Sequence, residues 1–210
     1  MKVQRLMVMA LLAVGGMACA QETADKGGFY VGVGGHYANV KLSSENFAGV
    51  KEKKSDNMGG AAVSVFVGCF KEYVHGFLLG VEGHCAISFA EKEINYSATQ
   101  KITHSFSSAS PSTACVIGCN TSLGSICLTA GVASLRDEVL VKTSGKWTYW
   151  GVAPELGAFY EYRILKSLGL RVGGSYAFGA HLVHHQPDND QETSVSADRL
   201  CVSACVVYHF

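Results

Sequence analysis

The sequence has no apolar run long enough to cross a membrane as a helix. The longest run, residues 6–14, has nine residues, against the roughly 20 that a spanning helix needs. A net charge is also missing, because 17 basic residues balance 17 acidic ones. Composition therefore offers no electrostatic argument for a nucleic-acid partner. What the chain has instead is apolar residues spread evenly at every second position, which suits a sheet with one face in lipid.

Recognisable catalytic motifs are missing as well. The sequence contains no G-x-S-x-G, no phosphate-binding P-loop and no H-E-x-x-H. One group of metal-ligating residue types occurs close together, and its members are His184, His185, Asp188, Asp190 and Glu192. Their spacing lacks the glycine that an EF-hand turn requires. We therefore predict a solvated loop tip there, no catalytic residues, and neither a metal nor a cofactor.

The first twenty residues have the three parts of a secretory signal peptide. Lys2 and Arg5 form a short basic region, residues 6–14 are apolar, and Ala18, Cys19 and Ala20 form a small-residue cleavage site. This pattern predicts a signal peptide at residues 1–20 and one exported domain at residues 21–210. A lipoprotein cut before Cys19 is the alternative, but the usual leucine three residues earlier is missing.

Eight segments alternate in the way a β-strand with one apolar face requires. They are residues 28–40, 59–70, 76–89, 112–119, a segment from 126 past 135, 147–163, 169–179 and 200–210. The last is the clearest, since Leu200, Val202, Ala204, Val206, Tyr208 and Phe210 share one face. Pro154 is a misfit because proline cannot donate to a strand ladder, so we expect a bulge or a shifted boundary there.

The connections between these segments alternate between short and long. Residues 71–75, 120–125 and 164–168 are short, whereas 41–58, 90–111, 136–146 and 180–196 are longer. An even strand number with this alternation is typical of outer-membrane barrels. Closure would also remove the exposed edge of the last strand. The predicted fold is an all-β, eight-stranded antiparallel up-and-down transmembrane β-barrel, and a soluble lipocalin-like carrier is the rival.

The opposite face of these strands carries charged residues of both signs. Inward positions hold Glu82, Glu155, Glu161, Arg163, Arg171 and Arg199, together with His36 and His84. An eight-stranded barrel is narrow enough for side chains to fill it, and buried charges of opposite sign should pair. We predict an ion-pair network that closes the lumen. The alternative is a narrow or gated ion path past the same charges.

Seven cysteines remain after the predicted cleavage, and an odd number leaves at least one without an intrachain partner. Cys119 and Cys127 flank the short turn around Leu123, which predicts that they face each other on one side of the sheet. Because export exposes thiols to an oxidising compartment, we expect a cross-strand disulfide between them. The alternative is that the cysteines act as small apolar wall residues.

Four features along the chain resemble small opacity-protein-like and OmpA-type outer-membrane barrels. They are the glycine-rich opening at residues 27–32, the Gly-Val-Glu-Gly stretch at 80–83, Glu161 with Tyr162, and the terminal Tyr208-His209-Phe210. The resemblance covers residues 27–210. It implies the eight-stranded fold, and it implies insertion by the barrel assembly machinery, with Tyr208 and Phe210 in the assembly signal.

The resemblance also implies a function at the cell surface. The expected protein is a bacterial outer-membrane barrel, in contact with outer-membrane lipid, that is structural or adhesive through extracellular loops able to contact host surface molecules. Residues 43–57 and 90–111 are polar enough for such loops, although they could equally be hydrated shields. A small porin-like channel and a lipid-modifying outer-membrane enzyme are the alternatives.

Overall fold

The computed structural model describes residues 27–44, 54–88, 90–95, 101–106, 109–141, 145–184 and 193–210. They form ten strands: β1 Gly27–Ser44, β2 Lys54–Glu72, β3 Phe77–Ser88, β4 Ala90–Asn95, β5 Lys101–Phe106, β6 Ala109–Thr121, β7 Gly124–Val141, β8 Gly145–Arg163, β9 Leu168–His184 and β10 Thr193–His209. The predicted signal peptide lies outside these residues. Within them, no helix is both long and apolar enough to pass through a bilayer.

Eight of the ten strands close into a single antiparallel barrel. Each pairs with the next in the order β1, β2, β3, β6, β7, β8, β9, β10, and β10 returns to β1 with Tyr30 opposite His209. The predicted number of ring strands, their antiparallel pairing and the closure of the barrel are confirmed. The turns 73–76, 122–123 and 164–167 define the short-turn end of the barrel, and we call the opposite end the loop end.

The connection predicted at residues 90–111 is wrong in part, because it contains a hairpin. Strands β4 and β5 pair with each other. Strand β5 also pairs with residues 138–141 of β7, which lie closer to the loop end than the residues of β7 that pair with β6. The ring strands also extend further towards the loop end than predicted. Strand β10, for example, begins at Thr193 and not at Leu200. These additions lengthen the barrel on one side only.

A reversal of the hydrophobic pattern explains why the strands predicted from the sequence are shorter than the observed ones. On β1 the outward side chains are Phe29, Val31, Val33 and Tyr37, followed by the exposed Asn39 and Lys41. On the same strand the inward side chains change from small or polar ones to the buried Ala38, Val40 and Leu42. Along β1, the apolar side chains are therefore on the outer face up to Tyr37 and on the inner face beyond it.

The outward apolar residues form a belt around the short-turn half. Neighbouring strands contribute residues 77–87, 126–132, 150–162, 170–178 and 200–208 to it, with exposed valine, leucine, isoleucine and aromatic side chains. The β1 segment, residues 29–37, would span about 21 Å along the barrel axis at about 3.3 Å per residue and a tilt of about 45°. That height is close to the roughly 25 Å band of outer-membrane barrels.

Two irregularities mark the boundary between the halves. The register of β8 against β9 shifts between Trp150 and Glu155, around Pro154, which confirms the irregularity expected there. The register of β9 against β10 shifts between Ala197 and Arg199. Gly179 adopts φ +68° at that level, and its N–H donates to Oδ1 of Asp198 at 2.8 Å. A non-glycine residue would be strained in this conformation.

Candidate functional site in the barrel lumen

The interior of the barrel has three layers from the short-turn end to the loop end. The first is a charged cluster enclosed by aromatic rings, the second is a small polar cavity, and the third is a set of buried apolar side chains. Side chains from strands that are distant in sequence meet in every layer, because each inward residue faces the barrel axis. We take this lumen as the candidate site, since it contains the buried charges of the described residues.

Arg171 is the centre of the charged cluster. Its guanidinium bridges two carboxylates: Nη1 donates to Glu82, while Nε and Nη2 donate to Oε2 of Glu161 at 3.1 and 2.9 Å. Glu161 lies directly opposite Arg171 in the β8–β9 register, so this pair follows from strand pairing. Glu82 comes from β3 across the lumen. The two salt bridges therefore connect both sides of the barrel.

Two further side chains complete the hydrogen bonding of these carboxylates. The hydroxyl of Tyr30 donates to Oε2 of Glu82 at 2.8 Å, and Nε2 of His209 lies 2.6 Å from Oε1 of Glu161. The side chains of Arg171 and Glu161 are only 6% and 4% exposed, so their charges depend on partners within the protein. Nδ1 of His209 is buried and has no hydrogen-bond partner within the described residues, so the network satisfies the acids more fully than this ring.

Aromatic rings surround the Arg171 guanidinium. Its central carbon lies 3.9 Å from the ring centroid of Phe159, 4.6 Å from Phe66 and 4.9 Å from Tyr30. These distances are within the range of cation–π attraction, which strengthens when the cation is desolvated. The first layer is therefore a compact cluster of paired charges and aromatic rings.

The second layer contains a cavity of about 100 Å³. His36, His84, Glu155, Ser175 and Cys201 are among the residues on its wall. Glu155 accepts from Ser175 Oγ at 2.7 Å and from Arg199 Nη2 at 3.2 Å, and the rings of His36 and His84 lie 5.4 Å apart. Within the described residues, His36 Nε2 has no hydrogen-bond partner. This cavity is polar and large enough for water.

The third layer is an apolar plug at the level where the outer belt ends. Its members are Val40, Leu42, Met58, Ala133, Leu135, Tyr149, Ala153, Ala177, Ala180, Leu182 and Ala197. Ala133, Leu135 and Tyr149 are completely buried. These side chains form an apolar layer between the cavity and the loop end.

Five of the six charged residues predicted to face the lumen take part in salt bridges. Glu82 and Glu161 pair with Arg171, and Glu155 pairs with Arg199. Arg163 is different, because it is exposed at the short-turn end with its guanidinium 5.9 Å from the ring centroid of Phe70. Within the described residues it makes no salt bridge.

Sequence reasoning missed the roles of Tyr30 and His209. Both occupy inward positions on the first and last strands, β1 and β10, which pair to close the barrel. Both contact the acids of the first layer. Strand alternation places them inward, and that signal could have added them to the list of lumen residues. It could not have indicated which acid each one contacts, because those acids come from other strands.

The predicted disulfide between Cys119 and Cys127 is wrong. The β6–β7 register pairs Cys119 with Ile126 and Gly118 with Cys127, so the two cysteines point to opposite faces of the sheet. Cys119 is exposed on the outside, Cys127 is buried inside, and both thiols are free. The turn contains two residues, Ser122 and Leu123, and this shifts the pairing by one residue from the predicted register.

Within the described residues, no group of three histidine, cysteine or acidic side chains is placed to hold a metal ion. The loop cluster singled out in the sequence begins at His184, the last residue of β9, and its other members, His185, Asp188, Asp190 and Glu192, lie outside those residues. The first layer can fix the strands around one cation, and the third layer can exclude water.

Several solved structures are similar to this chain. Ail, the attachment invasion locus protein of Yersinia pestis, is 13% identical with a TM-score of 0.48, over 88% of this chain and 99% of that one. Neisserial surface protein A is 16% identical with a TM-score of 0.43, over 89% and 100%. Outer membrane protein OprG from Pseudomonas aeruginosa is 13% identical with a TM-score of 0.44, over 89% and 98%. No protein-family model and no curated protein matches the chain.

Proposed function

We propose that this chain is a bacterial outer-membrane protein with a closed barrel, which acts as a structural or adhesive protein through the part that stands outside the bilayer. The reversal of the hydrophobic pattern is the observation that carries this proposal. The short-turn half is apolar outside, which suits lipid, and its interior holds the buried charges among aromatic and aliphatic side chains. The loop half is polar outside and apolar inside, which suits water.

The loop half is long enough to present a surface away from the membrane. Strand β1 continues from Asn39 to Ser44 beyond the belt, and β2 begins at Lys54 on the same side. The β4–β5 hairpin stands at this end next to β7. Rigid strands that support loops are a common basis for binding, because the scaffold lowers the cost of ordering them. Host surface molecules are the partners that we propose for this end.

The interior supports a scaffold and not a pore. The apolar plug lies between the polar cavity and the loop end, and the buried charges are paired. We therefore expect no steady conductance from the protein in a planar bilayer. Step-like conductance in the wild-type protein would favour the porin-like alternative.

Membrane insertion is tested by gel mobility. Residues 21–210, refolded in detergent, should migrate differently before and after boiling, because closed barrels in detergent resist unfolding. We propose insertion by the barrel assembly machinery, and the exposed rings of Tyr208 and Phe210, 5.1 Å apart on the outer face, support this. Good solubility in plain buffer with no mobility shift would favour the soluble carrier.

The adhesive role is tested by replacing the hairpin, residues 90–106, with a short glycine–serine linker. Cells that display this variant should bind host cells less than cells that display the wild type. A matched variant with the turn Val74–Gly76 replaced alters the opposite end and should bind normally. Equal binding by all three proteins would contradict adhesion through the hairpin.

Catalysis is not part of this proposal. An outer-membrane enzyme that modifies lipid is the alternative, and the mass of lipid A distinguishes the two. Expression of the protein would then change the mass of lipid A, whereas the structural or adhesive protein leaves that mass unchanged.

A further inference from the structure

Exposed apolar side chains occupy the tips of the three turns at the short-turn end. Val74 is 76% exposed, Leu123 is 69% exposed and Leu165 is 61% exposed. Each lies beyond the last ladder pair of its hairpin, away from the polar loop half. A turn in water gains nothing from such residues, whereas a turn at a bilayer surface can bury them.

Cations accompany these apolar tips. The turn between β8 and β9 reads Arg163, Ile164, Leu165, Lys166, so two apolar residues lie between two exposed basic ones. Within the turns 73–76, 122–123 and 164–167 the charged residue is Lys166, with Arg163 directly before the third turn and Glu72 directly before the first. Basic residues that flank apolar anchors are the combination that favours anionic membrane surfaces.

The barrel holds this turn in place. The N–H groups of Ile164 and Leu165 donate to the carbonyl of Leu168 at 2.9 and 3.0 Å, and the N–H of His209 donates to the carbonyl of Ser167 at 2.8 Å. The neighbouring turn is fixed as well, since the Tyr160 hydroxyl donates to the carbonyl of Leu123 at 2.9 Å. Both apolar tips are thus presented on ordered backbone at one rim.

We propose that this rim, defined by Val74, Leu123, Leu165, Arg163 and Lys166, is an interfacial anchor that binds phospholipids with anionic headgroups. The apolar tips enter the edge of the hydrocarbon region. Lys166 extends its long stem along that edge and places its charge at the lipid phosphates. Arg163, whose guanidinium lies 5.9 Å from the ring centroid of Phe70 at the mouth of the lumen, adds a second exposed cation to the same rim. The inference rests on the proposed membrane barrel and adds which lipid class its short-turn end selects.

The test compares lipid selectivity in vesicles that mix phosphatidylcholine with phosphatidylglycerol. Spin-labelled versions of each lipid report how strongly it associates with the inserted barrel. The wild type should prefer phosphatidylglycerol by about threefold. The preference should fall in 1 M salt, where the Debye length is only about 3 Å and charges further apart are screened from each other. The double variant R163Q/K166Q should lose most of the preference.

A charge-conserving variant, R163K/K166R, serves as the matched control. It keeps two cations on the same turn and should retain the wild-type preference. Soluble glycerol phosphate, added at constant ionic strength, should leave the preference unchanged. If soluble phosphate abolishes it, the rim binds free phosphate and the proposal of a lipid anchor is overturned.

Boiled and unboiled samples from the same vesicles separate the two proposals. If R163Q/K166Q inserts, shows the mobility shift and still prefers phosphatidylglycerol, the anchor is wrong while the membrane barrel stands. If the wild type fails to insert into any vesicle, the membrane barrel is wrong and the anchor falls with it.

Discussion

Replacing Arg171 with methionine should lower the free energy of unfolding of the barrel by about 3–5 kcal/mol. Methionine keeps much of the aliphatic volume between the aromatic rings but removes the cation. Glu82 and Glu161 are 14% and 4% exposed, and both would lose the cation that they share. An uncompensated buried carboxylate is costly, and the lost attraction to the rings of Phe66 and Phe159 adds to this cost.

Urea unfolding in phosphatidylcholine vesicles, followed by tryptophan fluorescence and gel mobility, measures this free energy. The matched control is R163M, because Arg163 is an exposed cation at the same end of the barrel. That change should cost less than about 0.5 kcal/mol, as for most surface substitutions.

A triple variant tests whether the cost comes from unpaired charge. R171M/E82Q/E161Q removes the cation and both anions, so it should recover to within about 2 kcal/mol of the wild type, since neutral replacements of buried ion pairs are often tolerated. A loss below about 1 kcal/mol in R171M would refute the reasoning, because breaking a buried pair should cost more. A rise in conductance without loss of stability would instead support an ion path past Arg171.

Three further predictions concern other parts of the barrel. Replacing Leu135 with alanine leaves a cavity in the apolar plug and should cost about 2–5 kcal/mol, measured by the same urea titration; no change would show that the plug is loosely packed. Cys119 and Cys127 should both react completely with a thiol reagent in denaturant without reduction. Protection of both thiols, lifted by reduction, would show that they form a disulfide after all. Gly131→Ala should block folding, because the alanine Cβ would lie 1.9 Å from a backbone carbonyl oxygen of β6. Gly35→Ala is the control and should fold normally, since the nearest atom to its Cβ would be 3.9 Å away. Equal yields of the two folded proteins would contradict the tight approach of β6 and β7 at Gly131.

The strands in the belt could be predicted from the sequence because their signal is local. Outward residues such as Val31 and Val33 alternate with small or polar ones, and alternation needs no knowledge of the partner strand. The same logic placed Glu82, Glu155 and Arg171 inside the barrel. The irregularity at Pro154 could also be predicted from the residue itself, since proline has no N–H to donate to a strand ladder.

The cysteine register illustrates where local reasoning ended. Thr121 pairs with Gly124 across a two-residue turn, so Cys119 pairs with Ile126. A turn one residue longer would have placed Cys119 opposite Cys127. Since a slip of one residue moves every side chain to the other face, a small difference in turn geometry decides whether two thiols can meet.

By itself, the sequence determined the all-β class, the number of ring strands and the face of each belt residue, because strand alternation is encoded by neighbours along the chain. Only the tertiary structure decided that Arg171 bridges Glu161, ten residues away, and Glu82, 89 residues away. It also decided where the hydrophobic pattern reverses and that residues beyond Tyr37 continue the barrel. These features depend on closure, because closing eight strands sets which inward side chains share a level and which half of the barrel contains the apolar plug.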